Sequence, residues 1–310
     1  MIKDISFKVS IIMATFNREQ FIMEAVQSII NQTYSNWECL IIDDGGTDNT
    51  EATLKKTIEN DNRFKFLKRP HTYKKGLPGC RNYGLNIAQG GYIIFFDDDD
   101  IVHPLNLEIC LSVFKEYPTS FFCNYLKQSF NGKFNYNLIN KGYKFSIEKS
   151  ADDLLESVVT HEKPFASCTV MWKKECFEGN KFNEDLMYAE EWECYQRILS
   201  EENKGVLIDK TLYFNRKHET SNTNQFWSNA PLRVNSKKKA IELVAFNLAD
   251  KKLFTPKLLK YLVSLAIGFR DFKLVKKILK ISKTNKKLKF LISLKYWLFP
   301  VRVFYKKMKK

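Results

Sequence analysis

The chain has 310 residues, 44% of them hydrophobic and 14% aromatic, with only 12 Gly and 8 Pro, which is material for a sizeable core and excludes wholesale disorder. Its formal charge of +15 is unevenly spread: residues 231–310 hold 23 Lys and Arg against Glu242, Asp250 and Asp271, a net +20, whereas residues 1–230 stand at −5. A uniformly basic protein is thereby excluded, and the chain is expected to divide into a mildly acidic part, 1–230, and a basic part, 231–310.

From the N-terminus, apolar runs of strand length alternate with segments of helical period. Val9–Met13 is short, continuous and rich in β-branched residues, which predicts a strand buried on both faces. Phe21, Ile22, Ala25, Val26, Ile29 and Ile30 recur at helical spacing, and Cys39–Ile42 is a second strand that ends at Asp43 and Asp44. Asp48 with Glu51 three residues on predicts a reciprocal cap for a second helix. A third strand, Phe64–Leu67, leads through a loop holding Pro70, Gly76, Pro78 and Gly79 to a helix near Arg81–Gln89, stopped by Gly90 and Gly91. Tyr92–Phe96 is a further strand and runs straight into Asp97, Asp98, Asp99 and Asp100. Such alternation predicts an α/β fold with a mostly parallel central sheet and helices on both faces. Ligands of sheets of this kind sit beyond the carboxyl ends of the strands, here the loops at Thr15–Phe16–Asn17, Asp43–Asp44 and Asp97–Asp100.

Farther on, Asn131–Gly132 reads as a hairpin turn. The apolar runs Phe165–Trp172 and Gly205–Phe214 bracket a helical pattern over 188–199. After Pro231 the pattern is helical alone, with Leu258, Leu262, Leu265, Phe269, Leu274, Ile278 and Ile281 on one face and lysines on the other. Seven cysteines with no CxxC pair are expected as reduced thiols. Residues 1–13 lack the pattern of a secretory signal, and Lys260, Arg270, Lys295 and Arg302 interrupt the best apolar runs. The expectation is a cytoplasmic chain with no transmembrane helix.

Four consecutive carboxylates repel one another unless protons or a cation relieve them. A divalent metal does so, and oxygen ligands suit Mg²⁺ or Mn²⁺; a solvated acidic turn at a helix start is the alternative. Two acidic strand ends facing one crevice, with neither a P-loop nor GxGxxG, fit a nucleotide held through its base and a metal-bridged diphosphate. A carboxylate at Asp44 can accept the imide N–H of uracil, and Phe16 can cover a base face.

These residues resemble family 2 glycosyltransferases of the A-type, Rossmann-like nucleotide-sugar fold. The stretch VSIIMATFNREQFIMEAVQSIINQTYSNWECLIIDDGGTDNT is similar to that family's opening, and GCRNYGLNIAQGGYIIFFDDDDIVHPLNLE to its metal-binding segment. The resemblance is close over about 8–120 and looser over about 160–222. It implies that Thr15, Phe16 and Asn17 surround the nucleoside, that Asp44 meets uracil N3, and that Arg81 lies near the donor. It further implies that Asp97 and Asp98 lie at the donor and that Asp99 holds the metal. The family usually has Tyr where Phe16 stands and Ser where Gly46 stands, which keeps a stacking ring and removes two hydroxyls. MYAEEWECYQRI resembles the segment carrying the base, which falls on Glu191 where the family has Asp. YFNRKHETSN resembles a Tyr-Arg-X-His segment, which implies Arg216 at the leaving diphosphate and His218 at the diphosphate or in the metal shell.

The expectation is an inverting transfer of sugar from a nucleoside diphosphate donor, UDP-sugar favoured, to a glycan or lipid-linked acceptor hydroxyl in bacterial surface polysaccharide, lipid-linked oligosaccharide or glycoprotein glycan synthesis. Two other functions compete: a sugar nucleotidyltransferase, whose Gly-rich phosphate loop MATFNRE lacks, and a nucleic-acid binder using the +20 block, which leaves the acidic crevice unexplained. No nucleic-acid partner is expected. The lysine-lined helices, with Trp297, Phe299 and Phe304 beside Lys306–Lys310, fit either an anionic bilayer on the cytoplasmic face of the inner membrane or a helical cap with a solvated exterior.

Overall fold

Both faces of VSIIMAT at residues 9–15 are apolar, so the segment gains most by extending between two helical layers. The computed structural model describes residues 7–139, 142, 144–149, 153–201, 204–218 and 222–282. Its elements in chain order are β1 (Val9–Thr15), α1 (Ile22–Ile30), β2 (Trp37–Asp43), α2 (Thr50–Ile58), β3 (Phe64–Lys68), α3 (Leu77–Ile87), β4 (Tyr92–Phe95), β5 (Ile101–Val102), α4 (Asn106–Glu116) and β6 (Phe122–Asn131). There follow β7 (Ile147–Lys149), α5 (Leu154–Val159), β8 (Val170–Lys173), α6 (Glu190–Leu199), β9 (Val206–Lys217), α7 (Asn222–Trp227), α8 (Pro231–Asp250), α9 (Pro256–Gly268) and α10 (Phe272–Ile281). Two compact units divide the chain, 1–236 and 237–310, with the division inside α8.

In the first unit the described strands form one sheet in the order β3-β2-β1-β4-β8-β6-β9-β5, with β7 on β9. β3, β2, β1 and β4 are parallel, in a register that sets Thr15 beside Asp43 and Ile12 beside Phe95. Side chains alternate across this half. Val9, Ile11, Met13, Cys39 and Ile41 pack with α1, Leu54 of α2 and α4 on one face. Ile12, Leu40, Ile42, Ile93 and Phe95 pack with α3, α5 and α6 on the other. The α/β architecture is thus as expected, while the far half of the sheet is mixed: β8 is antiparallel to both β4 and β6, and β6 runs parallel to β9.

Three local expectations are corrected. The third helix starts at Leu77 rather than near Arg81, because Gly76 (φ +123°) turns the chain and Pro78 occupies the first turn, where a missing N–H does no harm. Gly132 does adopt a left-handed φ of +66°, yet β6 finds its partners in β8 and β9, so no hairpin forms there. At α2 the Asp48–Glu51 reciprocal cap does not form: Asn49 is the N-cap, Asp48 Oδ1 accepts the Thr50 N–H at 3.0 Å, and Glu19 Oε2 accepts the Asn49 N–H at 2.9 Å.

In the second unit, α9 and α10 carry side-chain caps from Thr255 and Asp271, which accept the N–H groups of Leu258 and Leu274 at 3.1 and 3.0 Å. Lys238 pairs with Asp271 at 3.3 Å, and Lys277 with Glu242. Leu258, Leu262, Leu274 and Ile278 are buried, and Lys257, Lys260, Lys273, Lys276 and Lys280 are exposed. Among the described residues no helix is long and apolar enough to cross a membrane. Trp297, Phe299, Phe304 and Lys306–Lys310 lie outside the described residues.

Candidate active site

Beyond the carboxyl ends of β1, β2 and β4 lies a cleft of about 1100 Å³. Thr15, Phe16, Asn17, Asp44, Arg81, Asp97 to Asp100, Glu191, Arg216 and His218 all line it, so the acidic strand ends open onto one space. Parallel register is the reason: strands that start together end together.

The base of the cleft below β1 and β2 is built from short-range bonds. The Asp44 N–H donates to Thr15 O at 2.9 Å. Asn17, at φ +52°, uses its side-chain oxygen to accept the Thr47 N–H at 2.7 Å, so it fixes the turn that follows β2. Asp43 accepts the Gly46 N–H at 2.9 Å. A Cβ at Gly46 would lie 3.1 Å from both Asn17 Oδ1 and Asp43 Oδ1, so a side chain there would need these two groups to shift slightly. Phe16 is 43% exposed, with Lys75 Nζ 4.7 Å from its ring centre.

Exposure alternates along the aspartate run: Asp97 and Asp99 are partly exposed, while Asp98 and Asp100 line the cleft with little accessible surface. Arg18 Nε lies 3.2 Å from Asp98 Oδ1 and 3.6 Å from Asp99 Oδ2. His218 Nε2, just beyond β9, is 2.8 Å from the same Asp99 oxygen. Asp100 accepts the Arg216 backbone N–H at 2.7 Å. Burial first, then Asp99, push the Asp98 carboxyl up to about 7, against Arg18; burial, then Asp99, also raise Asp100 well above the usual range.

Arg81 is 3% exposed, beneath the cleft. Its guanidinium donates to Glu190 at 3.0 Å and Ser167 at 2.9 Å and stands 3.7 Å from Asp97. Glu190 and Glu191 open α6 after Ala189, which takes a left-handed φ of +65°. Burial, then the neighbouring Glu191, push Glu190 up to about 8, with Arg81 opposing. Glu191 is the more accessible of the two. Arg216, predicted at the leaving diphosphate, is 8% exposed; its guanidinium donates to the Asp99 carbonyl at 3.0 Å, to the Gly132 carbonyl and to Glu24.

Two groupings suit a cation. Ligand atoms of Asp97, Asp100 and Cys168 lie within 4.8 Å of one another. Burial raises the Cys168 thiol well above its usual range, and a protonated sulfur is a poor ligand for a hard cation. Asp99 and His218, beside Asp97, offer oxygen and imidazole nitrogen at the cleft surface, which Mn²⁺ or Mg²⁺ accepts. Sequence reasoning missed Arg18, Arg69, Glu24 and Glu190; of these only Glu190 carried a local signal, its place before the expected base.

Residues 10–173, more than half of the chain, match the family model for Glycosyl transferase family 2, and the chain belongs to that family. GgaB of Bacillus subtilis (strain 168), a minor teichoic acid biosynthesis protein, is 28% identical over 251 residues, 76% of this chain and 26% of that protein. WfgD of Escherichia coli, a UDP-Glc:alpha-D-GlcNAc-diphosphoundecaprenol beta-1,3-glucosyltransferase, is 31% identical over 210 residues, 65% of this chain and 73% of that one. The chain spans 26% to 32% of the length of GgaB and two Rickettsia glycosyltransferases that it also matches. In fold it is similar to S. aureus TarS 1–349 in complex with UDP-GlcNAc, with a TM-score of 0.65 at 19% identity over 94% of this chain and 81% of that one. The mannosyltransferase PcManGT from Pyrobaculum calidifontis, in complex with GDP-Man and Mn²⁺, gives 0.54 at 14% over 96% and 82%.

Proposed function

We propose that this chain transfers a sugar, with inversion, from a UDP-sugar to a hydroxyl of a glycan or lipid-linked acceptor in bacterial surface glycan synthesis. The observation that carries the reading is the single cleft shared by Asp44, the Asp97–Asp100 run, His218 and Glu191. Thr15, Phe16, Asn17 and Asp44 hold the nucleoside, with Asp97, Asp98 and Arg81 toward ribose and donor sugar. Glu191 accepts the proton of the acceptor hydroxyl as its oxygen attacks the anomeric carbon, and the bond to the diphosphate breaks on the opposite side. A divalent cation, Mg²⁺ or Mn²⁺, held by Asp99 and His218 would supply positive charge against the departing diphosphate. Arg216, whose guanidinium also holds the Asp99 carbonyl and Glu24, lines the same cleft on the side of the departing diphosphate.

Residues 1–230 are assigned the chemistry, and 231–310 contact with an anionic membrane face on the cytoplasmic side. Exposed Lys273, Lys276 and Lys280 support this, each contributing about 1 kcal/mol at such a surface. Charge reversal of these three lysines should lower flotation of the full chain with anionic vesicles; undiminished flotation removes the membrane role. Product analysis tests the chemistry. Release of UDP from a UDP-sugar in the presence of Mn²⁺ is expected, whereas release of pyrophosphate would assign nucleotidyl transfer instead.

A further inference from the structure

We infer that Arg69 is a positioning residue that sets nucleobase selectivity by aiming the Asp44 carboxylate, an inference that rests on the reading of this cleft as a UDP-sugar site. Asp44 Oδ1 accepts Arg69 Nε at 2.6 Å and the Gly76 N–H at 3.2 Å, and Oδ2 accepts the same N–H at 2.9 Å. Both side chains are about nine-tenths shielded, at 10% and 11% exposure. Arg69 is itself immobilised: its backbone N–H donates to Asp43 O at 2.9 Å, and Nη1 donates to the carbonyls of Pro70, at 3.1 Å, and Tyr73. The guanidinium is therefore part of the loop over residues 69–76 and serves the carboxylate, not a phosphate.

A carboxylate offers about four lone-pair positions. Donors from Arg69 and Gly76 take those on the loop side, and the acceptor edge that is left belongs to a residue lining the cleft. An acceptor held in a fixed direction attracts the imide N–H of uracil and repels the N3 lone pair of cytosine. Released from Arg69, the group turns about its Cβ–Cγ bond and the directional penalty on cytosine fades. The geometry at Gly76 belongs to the same device. Its φ of +123° is one that only glycine adopts without strain, and a Cβ there would meet Met187 Sδ at 3.0 Å.

The test is titration calorimetry of the full chain with UDP and with CDP, in Mn²⁺, for the wild type, Arg69→Met and Arg69→Lys. A charged hydrogen bond of this kind gives the wild type a preference for UDP of about tenfold to a hundredfold. Arg69→Met should weaken UDP while leaving CDP nearly unchanged, so that the ratio falls to about threefold or less, and Arg69→Lys should give an intermediate ratio. Equal losses for both nucleotides mean that Arg69 only braces the loop, and overturn the inference, as does an unchanged ratio. If Arg69→Met does not fold, Arg69→Lys carries the test alone: a ratio equal to the wild type's overturns it. A wild type that binds UDP no better than CDP fails the reading of Asp44 itself, which is distinguishable because it appears before any substitution.

Discussion

Replacing Asp98 by Asn should stabilise the protein above neutral pH, because the fold holds this carboxyl at a disadvantage. It is buried in a run of four aspartates, and burial first, then Asp99, carry its pKa from an ordinary 3.8 to about 7. A carboxyl whose pKa rises on folding contributes stability that is fully present below 3.8 and is lost as pH climbs through about 7. That gap corresponds to on the order of 4 kcal/mol at about 1.36 kcal/mol per pH unit. Because Asp97, also raised by burial, interacts with it, only part of this, on the order of 2 kcal/mol, falls to this one side chain. For a domain of this size such a gain raises Tm by roughly 4 to 8 °C. Arg18 keeps a partner in the variant, since Asp99 lies 3.6 Å from its Nε. Calorimetric melts of both proteins without divalent cation, from pH 4.5 to 8.5, should show the advantage growing up to about pH 7 and then levelling. A variant that melts at or below the wild type at pH 8, or a gain that does not vary with pH, would refute the reasoning.

Glu191→Gln should bind UDP within about twofold of the wild type and lose transfer by roughly a hundredfold or more, measured by sugar incorporation into acceptor. Full transfer would remove Glu191 from the chemistry. Asp99→Ala should abolish turnover and also shrink the rise in Tm that Mn²⁺ produces in the wild type; an undiminished rise means the cation is held elsewhere.

The near half of the sheet was legible because β1, β2 and β4 are continuous apolar runs, and a strand buried on both faces needs no alternation. The far half was not, since β8 meets β4 and β6 through pairings across long stretches of chain, which local periodicity does not encode. Gly76, Pro78 and Gly79 were read as loop punctuation and instead open α3; Gly79 is required inside the helix because a Cβ would stand 2.0 Å from Lys74 O. In the site, Asp44 and Asp97–Asp100 were visible because each stands at the end of a strand, and Glu191 through the resemblance of MYAEEWECYQRI to the family's base segment. The arginines that hold them were not. Arg18 and Arg69 are single basic residues in polar stretches, and only the fold brings Arg18 to Asp98, 80 residues away, and Arg69 to Asp44.

Arg18, Arg81 and Arg216 explain how four adjacent aspartates stay folded, and their other partners bear on whether the cleft calls for a cation. The carboxylates are met from several elements: Asp97 by Arg81 of α3, Asp98 and Asp99 by Arg18 after β1, Asp99 also by His218, and Asp100 by the backbone N–H of Arg216. Arg81 also serves Glu190, and the Arg216 guanidinium is drawn off to Glu24. The four aspartates therefore outnumber the guanidinium groups paired with them, Arg18 and Arg81, while Lys75, Lys127, Lys217 and Arg233 line the rest of the cleft. A diphosphate brings further negative charge and is repelled by such a wall unless positive charge arrives with it. Protons on Asp98 and Asp100, which burial favours, remove part of the excess. Asp99, with His218 beside it at 2.8 Å, is where that charge can enter from the cleft side, because its other neighbour, Arg18, is 25% exposed and lies nearer to Asp98.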